Sequence, residues 1–394
     1  MRSSRLRAFP NTKSHTYRTP RLPDLSAMFV FVAVSAAAIA PAYAAPIQVI
    51  NLVTDDQSAN SAQTTDPDLV NAWGVSYLPT GPFWVSDNGT GVTTLYKVDP
   101  STNATTKLGL TVTIPGDGSI TGQTANPDFA SGSFGGNLFV FVSEDGTISG
   151  WRSSLGTTAE VLQVGSDANI YKGTTFASVG GHSYVYSANF RAGTIDILKG
   201  DGAAPDLSGN FTDPTLPADY APFNVQNIGG TIYVTYAQQN ADKDEEVEGA
   251  GLGIVDAFDA NGNFIARIGS GGTLNAPWGL ALAPASFGAI AGDLLVGNFG
   301  DGSINIFDLS TDTFIGLLTD GNGNPIVIDG LWALMAGNGT LAGNSNSIYF
   351  SAGPGGESHG LFGVLAPAPE PWTMPLLLAG FCMILFMQRR RVMA

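Results

Sequence analysis

The chain has 394 residues, 44% hydrophobic and only 13% charged, with 50 glycines, one cysteine and three histidines. Its formal net charge is −16, but residues 45–366 hold eight Lys/Arg against 31 Asp/Glu and carry −23. A surface of that sign repels nucleic acid and anionic lipid, which excludes a nucleic-acid function. Cys382 lies in the apolar run near the C-terminus, so residues 45–366 hold no disulfide, Cys nucleophile or Cys-based metal site.

Residues 1–27 carry six basic residues, Arg2, Arg5, Arg7, Lys13, Arg18 and Arg21, against one acid, Asp24. The apolar stretch Met28–Ala40 and an A-x-A pattern, Ala42-Tyr43-Ala44, follow. Basic region, apolar region and small-residue cleavage site in that order read as a Sec-type signal peptide. Residues 1–44 are expected to pass the Sec translocon and be removed by signal peptidase between Ala44 and Ala45.

Next comes a strand-like segment, Ile47–Val53, that belongs to no repeat unit. Beyond it one pattern recurs: an aromatic or apolar start, a short strand, a glycine-containing turn, a second apolar strand, another turn, and an alternating third strand. The first copy has Asn71-Ala72-Trp73-Gly74-Val75, Phe83-Trp84-Val85-Ser86 and Thr94-Leu95-Tyr96. The second has Phe139-Val140-Phe141 with Glu144-Asp145-Gly146-Thr147-Ile148, and the third Tyr184-Val185-Tyr186 with Gly193-Thr194-Ile195-Asp196-Ile197. The fourth has Ala221-Pro222-Phe223-Asn224-Val225, Ile232-Tyr233-Val234 and Ile254–Phe258. The fifth runs from Ala276-Pro277-Trp278-Gly279-Leu280 through Leu294-Leu295-Val296 to Ile304-Asn305-Ile306-Phe307. The sixth has Leu331-Trp332-Ala333-Leu334, Ile348-Tyr349-Phe350 and Leu361-Phe362-Gly363-Val364.

Units of about four short strands, spaced by roughly 40–55 residues, indicate a β-propeller. The expected fold is all-β, a six-bladed β-propeller over residues 45–366. Units two and four are the least regular, which keeps five or seven blades open, with an array of β-sandwiches as the other all-β solution. Ile47–Val53 is expected to complete the last blade and latch the ring. The fifth unit, with P-W-G-L-A-L, L-L-V, N-F-G-D-G and I-N-I-F, resembles an NHL-type blade; units one and six resemble it less fully. That resemblance implies a fold and no particular activity.

The chain closes with Pro369-Glu370-Pro371, an apolar run from Trp372 to Met387, and Arg389-Arg390-Arg391. Sixteen helical residues span about 24 Å, close to a hydrocarbon core of about 30 Å. The arginines stay on the cytoplasmic side. This order resembles the PEP-CTERM sorting signal of Gram-negative bacteria, the alternative being an ordinary tail anchor. The resemblance makes residues 367–394 a sorting signal with a transmembrane helix at 372–387. It also implies an exosortase as processing partner and a route from inner-membrane anchoring to the cell surface or exterior, in a setting of extracellular polysaccharide and biofilm.

Chemistry is sparse in between. His182 and His359 have no metal-ligand partner at i+2 or i+4, and no H-E-x-x-H or P-loop pattern occurs. In a propeller, loops entering the innermost strands ring the channel mouth. The residues expected there are Asn71, Asp128, Lys172, Asn224, Asn275 and Asp329, beside Trp73, Phe223, Trp278 and Trp332. Such oxygens suit a Ca²⁺-sized ion, which takes six to eight oxygen ligands. Gluconolactonase-like propellers hold a divalent metal in this region with Glu, Asn and Asp, and no clear glutamate equivalent is visible in this sequence. Core filling for the tryptophans and turn formation for the Asn/Asp residues compete with these roles. The acidic run Asp242–Gly249 reads as a solvated loop, with a loose Ca²⁺ or cationic-partner site as its functional alternative. Asp259-Ala260-Asn261-Gly262-Asn263 reads as a hairpin turn. Two functions follow: an exported binding or scaffold propeller for a glycan or envelope protein, and a divalent-metal-dependent hydrolase or lactonase of gluconolactonase-like type. The first is preferred.

Overall fold

Alternating strands joined by glycine turns produce six small sheets and no α-helix within residues 46–368, the part described by the structure, a computed structural model. Two strands, β1 (Ile47–Thr54) and β2 (Thr64–Thr65), precede the first blade. Blade one comprises β3 (Ala72–Ser76), β4 (Phe83–Asp87), β5 (Val92–Val98) and β6 (Thr105–Thr113). Blade two comprises β7 (Ile120–Ala125), β8 (Phe139–Ser143), β9 (Ile148–Trp151) and β10 (Glu160–Gln163). Blade three has β11 (Tyr171–Val179), β12 (His182–Asn189) and β13 (Thr194–Lys199). Blade four has β14 (Tyr220–Ile228), β15 (Thr231–Gln239), the short β16 (Glu246–Val247), β17 (Ile254–Phe258) and β18 (Phe264–Ser270). Blade five has β19 (Pro277–Leu282), β20 (Leu294–Asn298), β21 (Ile304–Asp308) and β22 (Thr313–Leu317). Blade six has β23 (Leu331–Ala336), β24 (Ile348–Ala352) and β25 (Leu361–Pro367).

Strands β3, β7, β11, β14, β19 and β23 each pack on the next, and β23 packs back on β3, so they are the innermost strands of a closed ring. This is a six-bladed β-propeller, as the repeat spacing predicts. β1 pairs antiparallel with β25, Ile47 opposite Pro367 and Thr54 opposite Leu361, and so supplies the outer strand of the last blade. Leu52 and Val53 of this latch are fully buried. Lys107 on β6 adds a second tie across the seam, reaching Asp66 at 2.5 Å and Asp68 at 2.8 Å.

The irregularity falls partly elsewhere than the sequence suggests. Unit two is an ordinary four-stranded sheet, and unit three lacks a fourth strand. Pro205, Pro214 and Pro217 break up the segment between β13 and β14, because proline cannot donate to a strand ladder. That segment is pinned instead by Asp213, which pairs with Arg267 of β18, whose Nε also donates to the buried Asp256 at 2.7 Å. The expected signal peptide, with its cleavage site at Ala42, Ala44 and Ala45, lies outside the described residues. So do Pro369-Glu370-Pro371, the apolar run and Arg389–Arg391. Among the described residues no helix is long and apolar enough to cross a membrane.

Candidate functional site

Every innermost strand carries a register shift near its start, at Ala72/Val75, Ile120/Gln123, Tyr171/Thr174, Pro222/Asn224, Pro277/Gly279 and Leu331/Leu334. A bulge re-aims the side chain it carries, and the first residues within these shifts are Trp73, Thr121, Lys172, Phe223, Trp278 and Trp332. Trp73 stacks on Trp332 with centroids 3.6 Å apart, and Phe299 stacks on the other side of the cluster at 4.0 Å. Trp278 and Phe223 meet Trp332 at 5.9 and 5.8 Å. The predicted core-filling role of the tryptophans is therefore met: they form an aromatic plug within the ring. Small residues lie alongside it. A Cβ on Gly122 would stand 2.7 Å from Thr174 N, and one on Gly279 would stand 2.7 Å from Trp332 O, so neighbouring backbones touch there.

On the face where the chain enters the innermost strands, the plug carries a polar cluster. Lys172 is wholly buried, with Nζ 2.5 Å from Glu144 and 3.0 Å from Glu245, and lies 5.2 Å above the Trp73 ring. Burial alone would push the lysine down, but the glutamates reverse this and hold its ammonium above the ordinary range. Asn71 Nδ2 donates to Glu357 at 2.5 Å and to Asn88 at 3.2 Å, while Asn71 Oδ1 accepts from Trp332 Nε1 at 3.1 Å. Burial pushes the Glu246 carboxyl up to about 7, with Lys172 drawing it partly back. Burial raises Glu357 too, while the Asn71 hydrogen bond lowers it.

The five oxygen-bearing residues expected at one mouth do not converge. Asn71 belongs to the entry-face cluster, as does Lys172. Asp128 follows β7 rather than preceding it and accepts from Ser183 Oγ at 2.8 Å, tying blade two to blade three. Asn224 lies within β14, where its Nδ2 donates to Trp278 O at 2.7 Å and locks blade four to blade five. Asn275 accepts from Gly249 N at 2.7 Å, and exposed Asp329 accepts from Gly355 N at 2.9 Å, both ties between loops distant in sequence. Among the described residues no group of three or more His, Cys, Asp or Glu is placed to hold a metal ion; the five residues expected to offer oxygens to Ca²⁺ are engaged in the separate contacts given above.

Four glutamates, Glu144, Glu245, Glu246 and Glu357, were missed as site residues. Glu245 and Glu246 come from the acidic run read as solvated. β16 pairs there with the end of β15 and half-buries Glu246, and Glu245 reaches Lys172 although, like Asp242, Lys243 and Glu248, it stays exposed. The histidines make surface pairs, His182 with Asp201 at 3.1 Å and His359 with Asp55 at 2.9 Å. Asn261 N and Asn263 N both donate to Asp259 at 2.9 Å, the hairpin-turn arrangement expected there.

At the opposite end the innermost strands splay around an open cavity of about 630 Å³ lined by all six blades. Its polar lining includes Ser76, Gln123, Thr175, Gln226 and Asn227, and its aromatic lining Tyr77 and Phe176. No Asp, Glu, Lys, Arg or His is among the described residues that line it. The walls are tied blade to blade: Tyr77 donates to Ala336 O at 2.7 Å, Asn227 to Phe176 O at 2.9 Å and Gln123 to Gly74 O at 2.9 Å. Ser76 Oγ is buried without a partner. Toward the plug the space shrinks to about 10 Å³ beside Gln123, Asn224 and Trp278, room for no more than one water.

No family model matches the chain. Among solved structures it resembles streptogramin B lyase, at TM-score 0.45 and 11% identity over 82% of this chain and 97% of that one. It also resembles the PQQ-bound aldose sugar dehydrogenase of Streptomyces coelicolor, at TM-score 0.46 and 16% identity over 81% and 98%. At such distance neither likeness bears on activity, and the blade count rests on the sheets themselves. One uncharacterised protein of Acanthamoeba polyphaga mimivirus is 29% identical over 335 residues, 80% of this chain and 79% of the relative. A second from the same virus is 30% identical over 322 residues, 76% of this chain and 81% of the relative. The chain therefore belongs to the same family as this second mimivirus protein.

Proposed function

We propose that this protein is an exported propeller that binds a neutral, hydroxyl-rich ligand, a saccharide or polysaccharide segment, in the cavity opposite the lysine cluster. One observation carries the reading. In a body of net charge −23, the described lining of a cavity of about 630 Å³ built by six blades holds no ionised side chain. Pockets of about 300–1,000 Å³ suit small ligands and oligomer segments. Sugars offer apolar C–H faces to aromatic rings and hydroxyls to amides, and Tyr77, Phe176, Gln226 and Asn227 supply both kinds of surface. The inter-blade hydrogen bonds fix that lining in advance, which reduces the ordering cost of binding.

The leader ending at Ala44 and the Pro369-Glu370-Pro371 tail support export, exosortase processing and a place in the envelope or outside the cell. The role is that of a binding and scaffold protein for exopolysaccharide. A glycan array probed with the full-length chain in a polyoxyethylene detergent tests the reading, alongside Met335→Trp, which fills the cavity. Retention of neutral glycans by the parent and their loss from Met335→Trp is expected. Failure to retain any neutral glycan, or equal retention by the filled variant, contradicts it. Export is tested separately: the surface form should begin at Ala45 and lack the arginine tail by mass, and an intact cytoplasmic chain would refute the sorting reading.

A further inference from the structure

The cavity shared by the six blades is not uniform around the ring. All of its lining amides and threonines come from blades two, three and four, among them Gln123, Thr175, Gln226 and Asn227. Blades five and six add only apolar side chains: Leu280, Ala281, Leu282, Leu334, Met335 and Ala336. Two adjacent blades thus build an apolar wall opposite a polar one. Leu282, the last residue of β19, is 37% exposed there. On the polar side most groups already have protein partners. Gln123 Nε2 donates to Gly74 O at 2.9 Å and to Trp84 O at 2.6 Å. Asn227 Nδ2 donates to Phe176 O at 2.9 Å, and its Oδ1 accepts from Gly230 N at 3.0 Å. The half-buried Gln226 differs, since its side chain bonds no other described residue. It lines both the cavity and the narrow space beside the plug, and that space brings its amide together with Leu280, Leu334 and Met335.

We propose that the cavity selects an acetylated sugar, an inference that rests on the saccharide reading above. A plain hexose carries hydroxyls around its rim. Those turned toward blades five and six would leave water with no side chain to receive them, which costs free energy for each one buried. An acetyl group carries a methyl and an acceptor oxygen on one carbon. The methyl packs on the wall of Leu282 and Met335, and the oxygen accepts from Gln226 Nε2, a primary amide with N–H groups to donate. A 6-deoxy sugar supplies the methyl without the acceptor, and a hydroxyl the acceptor without the methyl. An acetyl group is also uncharged, as the described lining is.

Calorimetric titration of the full-length chain in the same detergent tests this with matched pairs: chitotriose against cellotriose, and methyl N-acetylgalactosaminide against methyl galactoside. Methyl 6-O-acetylgalactoside separates an ester from an amide as the source of the acetyl group. At least one acetylated probe is expected to bind about tenfold or more tighter than its hydroxyl counterpart. Leu282→Gln and Gln226→Leu are each expected to shrink that ratio about threefold or more, with a cooperative melting transition showing that the variant is folded. Equal affinity within every pair, tighter binding of the hydroxyl member, or an unchanged ratio in both folded variants would overturn the inference. So would the absence of saturable binding by every acetylated probe. Failure of the wider glycan reading is recognised separately, by an array that retains no neutral glycan at all.

Discussion

Replacing Lys172 by methionine keeps most of the buried stem and deletes the one cation that blade three places at the axis. The ammonium lies 2.5 Å from Glu144 and 3.0 Å from Glu245, and its side chain is 0% exposed. Removing one partner of a buried pair costs about 3–5 kcal/mol. Here the figure is lower, because the Glu144 side chain is 24% and that of Glu245 61% exposed, so both rehydrate when released. Allowing also for the lost contact with Trp73, Lys172→Met should destabilise by about 2–3 kcal/mol near pH 8. For a domain of this size that lowers Tm by about 3–5 °C. The sign of the pH dependence follows from the acids left behind. Glu246 is pushed up to about 7 and Glu357 is raised as well, so both become neutral as pH falls, and fewer unpaired charges remain. The penalty should therefore shrink on going from about pH 8 to about pH 5.5, measured by differential scanning fluorimetry of parent and variant. A variant that melts with the parent near pH 8, or loses more at the lower pH, would refute this account of the cluster.

Other perturbations have similarly definite outcomes. The Glu246 carboxyl has its folded pKa raised above the unfolded value, so its neutral form stabilises the fold at low pH and that contribution is lost as pH rises toward about 7. Glu246→Gln should thus stabilise by about 1–2 kcal/mol near pH 8 and be neutral near pH 4 in urea melts; stabilisation at both pH values would contradict the linkage. Leu52→Ala empties a fully buried position on the latch strand and should cost about 2–5 kcal/mol, with hydrogen exchange quickening first in β25. Unchanged exchange there would argue against latch closure. Gly122→Ala should cost at least about 1–3 kcal/mol, because the new Cβ meets backbone of the next blade at 2.7 Å; an unaltered urea midpoint would show that the inner strands do not touch there.

The blade plan was legible because it rests on local pattern. Trp73, Trp278 and Trp332 recur before small residues and alternating strands, and Ile47–Val53 stands alone with a strand's composition and no unit of its own. The incomplete third blade was less visible, since short strands and proline-broken segments share a glycine-rich background. The site was read least well. Position relative to a strand start places Asn71 and Lys172 correctly but fails for Asp128, which follows β7. Glu245 and Glu246 sit among five acids between Asp242 and Glu248, where charge density argues for solvent. Pairing of β16 with β15, a contact of two residues on each strand, half-buries Glu246, while Glu245 reaches Lys172 with its side chain still 61% exposed. The one sequence signal for that choice was Lys172 itself, a lone cation at a position where four of the other five blades carry an aromatic. The uncharged cavity was invisible in composition, because its residues come from six segments between Val75 and Ala336 and only the ring brings them together.

The most direct test of the central claim is the salt dependence of ligand binding at that cavity. A neutral oligosaccharide retained on the array is titrated into the full-length chain at about 50 mM and about 500 mM NaCl, a range over which exposed charge interactions are strongly screened. The account predicts the same Kd at both salt concentrations and loss of binding in Met335→Trp. Binding restricted to charged glycans, weakening about tenfold with salt and indifferent to Met335→Trp, would contradict it.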